Sequence, residues 1–188
     1  MYDFWYGYLK KKYGDQVKLL YTDTDSLIIE IETENIYQDM IDDYDLFDFS
    51  DYPEDHWVVK NLPEDQWIIN EEGKWKDENG GDRAIGYAGV RAKCYSVVCE
   101  NSRKNMIKAK GLKKALIKRE LTHKIFEDCV LEGKEDQPRT AQFLRSYRHQ
   151  MYRIKQTKRS VNPFDSKLWI AQDMETTYLF GDCEIPEE

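Results

Sequence analysis

The sequence lacks the features that would assign it to a membrane, to the secreted proteins or to a zinc-binding fold. No apolar run approaches the roughly 18–20 residues of a membrane-spanning helix, and the first residues lack the basic and then apolar pattern of a signal peptide. Four cysteines and three histidines are scattered without a C-x-x-C pair, so neither a disulfide framework nor a zinc site is expected. The sequence predicts one or two globular domains in a reducing compartment, with no membrane partner.

Charge is distributed unevenly along the chain. The formal net charge is -8, yet residues 30–82 carry 18 acidic and 3 basic side chains, whereas residues 83–167 carry 21 basic and 8 acidic ones. Tyrosines lie between the cations of the basic segment. This pattern is typical of a surface that follows nucleic-acid phosphates. A solvated basic face without a partner is the alternative explanation.

The hydrophobic pattern predicts an α+β fold. Gly14 is expected to end a first helix over residues 2–13. A strand over residues 91–97 would place Lys93 and Tyr95 on one face and Cys94 on the other. The other predicted elements are strands over 17–21 and 26–31, a short helix over 35–43, a long acidic connection with weak strands over about 44–82, strand-like residues over 84–100 and 143–161, and a helix over 122–131.

Two aspartates, Asp23 and Asp25, flank Thr24 in the polar turn between the first two predicted strands. Carboxylates this close together favour a shared divalent cation, and oxygen-only ligands favour Mg²⁺ or Mn²⁺ over zinc. Phosphoryl or nucleotidyl transfer is the chemistry that such a site supports. Asp-x-Asp is nevertheless a weak pattern among 36 acidic residues, and residues 43–45 repeat the same spacing in what we interpret as a solvated acidic turn.

Longer motifs add a family resemblance. Tyr-Thr-Asp-Thr-Asp-Ser-Leu at 21–27 resembles the metal-binding C motif of family B DNA polymerases. Arg-Ala-Lys-Cys-Tyr at 91–95 resembles their Lys-x-Tyr motif, and the basic run at 108–114 resembles the turn that leads into the thumb. Residues 152–158 and 162–167 are similar to the end of the organellar and viral members, a group that includes protein-primed enzymes and the polymerases of large transposons.

The resemblance implies a fold and a set of partners. It implies an antiparallel palm sheet with the C-motif hairpin and flanking helices over residues 1–107, then a small basic thumb-like portion with an acidic C-terminal tail over 108–188. The implied partners are primer-template DNA and deoxynucleoside triphosphates, with a terminal protein primer as a further partner in protein-primed members. The implied cofactor is Mg²⁺ or Mn²⁺. A nuclear location would follow if the parent enzyme copies a transposon.

The resemblance also implies residue roles. Asp25 would be the principal ligand of the catalytic metal ions, with Asp23 as a supporting carboxylate. Ser26 would lie near the primer end, and Lys93 and Tyr95 would hold the primer strand. The sequence-independent phosphate contacts would be Lys108, Lys110, Lys113 and Lys114.

Two motifs that such a polymerase needs are absent from the sequence. Neither the A motif, Asp-x-x-Ser-Leu-Tyr-Pro, nor a B-motif helix that binds the incoming nucleotide occurs, and there is no exonuclease domain. The nucleotide-binding residues are therefore expected upstream of this chain. Two carboxylates alone should hold metal weakly and position no substrate phosphate, so we expect little or no polymerase activity from this polypeptide by itself.

The sequence suggests three alternatives to this function. The first is a non-catalytic DNA-binding remnant of such a polymerase. The second is an Asp-x-Asp glycosyltransferase, in which the basic segment and the Lys-x-Tyr strand would have no role. The third is a reverse transcriptase, which is disfavoured because its palm hairpin carries adjacent aspartates.

Overall fold

The structure, a computed structural model, describes residues 1–63, 73–101, 105–164, 168–170 and 177–179. The chain divides into two compact units, 1–85 with 99–104 and 86–98 with 105–188. In the described residues, short helices alternate with two- and three-stranded sheets, most of them antiparallel. A mixed α/β fold is therefore confirmed. No helix within the described ranges is long and apolar enough to cross a membrane.

The first unit begins with a helix and a hairpin that pack on each other. Helix α1 is π-helical over Asp3–Leu9 and α-helical over Lys10–Tyr13, and it ends at Gly14 with a φ of 57°. Strands β1 (Val17–Asp23) and β2 (Ser26–Ile31) pair antiparallel. The predicted helix and hairpin are confirmed. The shared core consists of Trp5, Leu9, Tyr13 and Val17, with Leu27, Ile29 and Ile31 packed against it.

The rest of the first unit surrounds a second small core. The predicted short helix is confirmed as α2 (Ile36–Asp42), and Asn35 Oδ1 accepts the backbone N–H groups of Tyr37 and Gln38 at its start. Strands β3 (Phe47–Asp48) and β4 (Trp75–Lys76) are two residues long and pair in parallel, and helix α3 (Trp57–Asn61) lies between them in the chain. The core consists of Ile41, Phe49, Tyr52 and Val58.

Helix α3 was not predicted within the acidic connection. Its five residues are too few to show a hydrophobic period of 3.6 residues. The His56 side chain caps it by accepting the Val58 N–H, and its other ring nitrogen lies 3.1 Å from the Gly81 carbonyl oxygen. The helix therefore depends on a contact between residues that lie 25 positions apart in sequence.

The second unit is built on a three-stranded sheet of β5 (Ala84–Arg91), β6 (Cys94–Cys99) and β7 (Met106–Ala109) in that order, with β6 and β7 antiparallel. Two helices follow, α4 (Lys114–Glu120) and α5 (His123–Glu132). Helix α5 confirms the helix predicted over 122–131 and ends at Gly133 in the left-handed conformation, whereas α4 was not predicted. Phe126 and Cys129 of α5 and Cys94 of β6 are buried in the core. The expected palm–thumb boundary at 107/108 falls inside β7.

A two-stranded ribbon follows α5. Strands β8 (Arg139–Tyr147) and β9 (Gln150–Lys158) pair along their full length and turn at residues 148–149. The prediction of one strand-like segment over 143–161 therefore missed both the turn and the start of β8. Strands β10 (Leu168–Ile170) and β11 (Thr177–Leu179) form a further antiparallel pair, and most of the expected acidic C-terminal tail lies outside the described residues.

Candidate metal and nucleic-acid site

The structure places Asp23 and Asp25 at the tip of the β1–β2 hairpin. Asp23 and Ser26 pair across the strands and enclose the turn Thr24–Asp25, in which Thr24 has a φ of 57°. The Ser26 hydroxyl donates to the Asp23 carbonyl oxygen (3.1 Å), as does the Asp25 backbone N–H (2.7 Å). The Thr24 hydroxyl donates to Asp23 Oδ1 (3.3 Å). Local hydrogen bonds thus fix the backbone that carries both carboxylates.

A bulge in β1 decides which face of the hairpin carries Asp23. Leu19 pairs with Ile29 and Tyr21 with Ile28, so the register shifts by one residue at Leu20. With regular alternation Asp23 would lie on the same face as Val17, which packs against α1. The shift moves Asp23 to the opposite face, away from the apolar core. Sequence alternation alone could not reveal this extra residue.

The donor chemistry of the tip fits a hard divalent cation, but the number of ligands is small. Asp23 is half-buried and Asp25 is exposed. Among the described residues, no group of three or more His, Cys, Asp or Glu side chains could hold a metal ion. Mg²⁺ typically takes one or two protein carboxylates and fills its remaining positions with water and substrate phosphate. The two aspartates match that minimum and do not form a complete protein cage.

The second Asp-x-Asp sequence, residues 43–45, has a different environment. Asp43 accepts a hydrogen bond from the Tyr8 hydroxyl (2.8 Å) and forms an ion pair with Lys12. Burial raises the pKa of Asp43, but the hydrogen bonds from Lys12 and Tyr8 outweigh this effect and hold the pKa below its usual value. Asp43 is thus engaged in joining α2 to α1, while Asp45 is exposed.

One predicted geometry in the Lys-x-Tyr segment is wrong. Lys93 does not lie on a strand with Tyr95, because the chain turns at residues 92–93 and Lys93 takes a φ of 59° between β5 and β6. The residues on both sides of Lys93 favour strands, so the sequence predicted one continuous strand where the chain turns. Cys94 and Tyr95 do begin β6, and Cys94 is buried while Tyr95 is half-buried.

The structure nevertheless brings four of the predicted DNA-contacting residues to one end of this sheet. Tyr95 pairs directly with Lys108 across β6 and β7. One step further, the Lys110 backbone N–H donates to the Lys93 carbonyl oxygen (3.0 Å). Lys93, Lys108 and Lys110 are exposed. This pairing connects two motifs, residues 91–95 and 108–110, that the sequence could only treat separately.

The two lysines that follow have different environments. Lys114 is the first residue of α4 and is exposed. Lys113 donates to the Gln142 carbonyl oxygen and lies 4.7 Å from the centre of the Phe143 ring. Lys113 therefore connects the start of α4 to the ribbon, and a phosphate contact would compete with that structural role.

Backbone strain marks the tips of three hairpins. Every non-glycine residue with positive φ in the described part of the chain lies in such a turn: Thr24, Lys93, Arg148 and His149. A left-handed conformation costs a non-glycine residue on the order of 1 kcal/mol or more, and such strain is concentrated at functional sites. Two of the three tips carry predicted site residues. The third, at the end of the ribbon, was missed by the sequence analysis.

A Ser-His-Glu arrangement in the second unit was also missed. His123 Nδ1 lies 3.0 Å from the Ser96 hydroxyl oxygen, and His123 Nε2 lies 3.5 Å from Glu127 Oε1. A nucleophile with a base and an orienting acid has this connectivity. Ser96, however, is 0% exposed on β6, and a buried hydroxyl cannot reach a substrate. The group therefore ties α5 to the sheet.

Comparison of the chain with protein-family models, with curated proteins and with solved structures finds no match.

Proposed function

We propose that this chain is part of a nucleotidyltransferase that copies a nucleic-acid template by a two-metal mechanism. More particularly, we propose that it is the C-terminal palm and thumb portion of a family B DNA polymerase of the organellar or viral type. The observation that carries the proposal is the hairpin with the sequence Tyr-Thr-Asp-Thr-Asp-Ser, whose tip carries an exposed Asp25 and places Asp23 on the face away from the hairpin's core.

The tip residues have distinct roles in this proposal. Asp25, which is exposed, is the principal metal ligand, and Asp23 supports it from the end of β1. A bound Mg²⁺ or Mn²⁺ would stabilise negative charge on the phosphate of the incoming nucleotide. The hydrogen bonds from Ser26 and Asp25 to the Asp23 carbonyl oxygen fix the backbone of the turn that carries the two carboxylates. Ser26 is positioned near the primer end.

The second unit supplies the grip on the primer-template duplex. Lys93, Lys108 and Lys110 are exposed cations at one end of the sheet, next to the phenol of Tyr95. Cations and a phenol suit phosphate and sugar contacts that hold a duplex without reading its sequence. Lys114 extends this basic surface along the chain, whereas Lys113 contributes mainly through its contact with the ribbon.

Catalysis by this polypeptide alone is not part of the proposal. The carboxylate of the A motif and the nucleotide-binding helix of the B motif would come from an upstream segment, which would also bind the deoxynucleoside triphosphates. In a protein-primed parent enzyme, a terminal protein would be a further partner. Robust primer extension by the isolated chain, dependent on Asp25, would contradict the expected inactivity.

A non-catalytic DNA-binding remnant is the second candidate function. It is favoured by the small number of ligands, since the described residues provide no group of three that could hold a metal ion. Both candidates predict duplex binding that weakens steeply with salt. They differ at the hairpin tip, because only the polymerase portion has a use for a cation there.

Paramagnetic broadening of NMR signals by Mn²⁺ tests this difference in the presence of primer-template DNA. We expect selective broadening at residues 22–27, loss of that broadening in Asp25→Asn, and no loss in the control Asp45→Asn, which changes an exposed carboxylate of the other Asp-x-Asp sequence. Broadening that is no stronger at residues 22–27 than around Asp45 would overturn the metal-binding role and leave the remnant.

A further inference from the structure

The His56 side chain lies where several segments of the first unit meet. It caps helix α3, and it contacts the turn at residues 77–82 through Gly81. Its ring lies 5.1 Å from the ring of Tyr37 on α2 and 4.9 Å from the ring of Tyr52, in both cases nearly at right angles. The side chain is half-buried. A change in the protonation of His56 therefore acts on contacts between segments that are far apart in sequence.

The hydrogen-bond partners of His56 determine which ring nitrogen carries the proton. Nδ1 accepts the backbone N–H of Val58, at a distance of 3.2 Å between the two nitrogens. Nε2 lies 3.1 Å from the carbonyl oxygen of Gly81, and a carbonyl oxygen can only accept. A bare Nδ1 together with a protonated Nε2 satisfies both contacts. The partners therefore assign the neutral Nε2–H tautomer to His56.

The surroundings of the ring hold it against Gly81. A Cβ atom at Gly81 would lie 2.8 Å from His56 Nε2 and 2.9 Å from Tyr52 Cδ1, so the glycine backbone packs directly against both rings. The Tyr37 hydroxyl donates to the same Gly81 carbonyl oxygen (2.8 Å). Asp77 Oδ2 accepts the Gly81 N–H (2.9 Å) and the Tyr52 hydroxyl (3.1 Å). These contacts fix the position of Gly81 relative to the imidazole.

We propose that His56 is a pH-sensitive switch that releases the start of α3 when its imidazole takes up a second proton. Histidine side chains take up this proton between about pH 8 and pH 5. The added hydrogen on Nδ1 points at the Val58 N–H, so two donors face each other and the cap is lost. The charged ring still donates from Nε2 to Gly81. Because the Val58 side chain is 0% exposed in the core of Ile41, Phe49 and Tyr52, loss of the cap also loosens that core.

The other titratable groups around His56 favour this coupling. Burial raises the pKa values of Tyr37 and Tyr52, so both phenols stay neutral while His56 titrates. The charged side chains of the segments around the ring are Asp55 before α3, Lys60 within it, and Asp77, Asp82, Arg83 and Glu100 on the side of Gly81. The carboxylates outnumber the cations and attract an imidazolium. The Val58 N–H opposes the same proton, so the ring and the cap compete for it.

NMR spectroscopy of the full chain tests the switch. Long-range ¹H–¹⁵N spectra report the tautomer and the protonation of each imidazole, and we expect His56 to carry its single proton on Nε2 at about pH 7.5. Between about pH 7.5 and pH 5.5, the protection of the Val58 amide from hydrogen exchange should fall on the order of tenfold, in step with the protonation of His56. Protection of the Gly81 amide, which Asp77 accepts, should change much less.

Three variants separate the two nitrogens of the ring. His56→Asn keeps an acceptor for the Val58 N–H but does not titrate, so protection of Val58 should no longer depend on pH. His56→Gln keeps a donor toward Gly81 without the cap, so Val58 should be weakly protected at both pH values. His149→Asn is the matched control, because it removes an exposed histidine of the second unit; the response at Val58 should persist.

Three results would each overturn the switch: a proton on Nδ1 of His56 at about pH 7.5, a Val58 amide that is equally protected at both pH values, or the same loss of protection in His56→Asn. The first two are measured on the unaltered chain, so they decide the matter even if the variants do not fold. The switch lies within the first unit and does not depend on the proposed function.

Discussion

The anchor at the base of the ribbon offers the sharpest test of how the second unit is held together. Arg139 Nη2 donates to Asp136 Oδ1 (2.7 Å) and Oδ2 (2.8 Å), and Arg139 Nη1 donates to Glu120 Oε2 (3.0 Å). The Arg139 and Asp136 side chains are 19% and 9% exposed. The guanidinium therefore joins the loop before β8 to the end of α4. We predict that Arg139→Ala destabilises the second unit.

The size of the expected loss of stability follows from the contacts that the Arg139 guanidinium makes with Asp136 and Glu120. Removing one partner of a fully buried, hydrogen-bonded ion pair costs about 3–5 kcal/mol. Arg139 retains some contact with water, so we expect about 2 kcal/mol. The cost arises mainly because Asp136 would keep its charge in a poorly solvated position without a cation. Lysine cannot reproduce the two-pronged contact, so Arg139→Lys should recover only part of the loss.

Urea denaturation followed by circular dichroism measures the effect, and amide hydrogen exchange shows where the ribbon loosens. Arg145→Ala is the control, because Arg145 is an exposed cation on the same strand; we expect a change within about 0.5 kcal/mol there. If Arg139→Ala and Arg145→Ala unfold at the same urea concentration, the anchoring role of Arg139 is refuted.

Three further predictions concern the core, the alkaline limit and a strained turn. Phe126→Ala should cost about 3–5 kcal/mol in urea unfolding, because its ring is 0% exposed in the core of the second unit; a loss below about 1 kcal/mol would contradict that packing. Burial and hydrogen bonds to Asp77 and Asp43 raise the pKa values of Tyr52 and Tyr8, respectively. The folded chain therefore keeps these protons where the unfolded chain loses them, and the free energy of unfolding should fall as the pH rises above about 10; an unfolding midpoint that does not change across that range would disagree. Lys93→Gly should stabilise its turn by about 1 kcal/mol, because glycine adopts a φ of 59° without strain. The same variant should weaken duplex binding, because it removes a cation. Thermal unfolding and fluorescence anisotropy measure the two effects, and a rise in both the unfolding midpoint and the duplex affinity would be inconsistent with a binding role.

The number of cations in the basic segment overstates how many of them can contact a polyanion, because some have partners within the protein. Arg139 and Lys113 both belong to the basic segment, yet one anchors the ribbon through Asp136 and the other contacts Gln142 and Phe143. Their partners lie in other elements of the chain, so the sequence could not separate them from the exposed lysines at 108 and 110. The tertiary structure reduces the basic segment to fewer cations that are available to a polyanion.

Local signals in the sequence determined the parts of the fold that depend on neighbours along the chain. The glycine stop of the first helix, the short helix α2, the helix over 122–131 and the two strands on either side of the polar turn at residues 22–25 were all predicted. Each depends on interactions within a few residues, which periodicity, capping and turn preferences describe directly.

Only the tertiary structure decided which face of each strand carries the candidate site residues and which of these residues lie next to each other. The extra residue at Leu20 moves Asp23 away from the core, the turn at Lys93 removes it from the strand of Tyr95, and the pairing of Tyr95 with Lys108 brings two distant motifs together. Strand register and ion pairing depend on contacts between residues far apart in sequence, and a change of one residue in register reverses the faces of a strand. The sequence alone therefore determined which residue types could hold metal and phosphate, and the packing determined which of them meet.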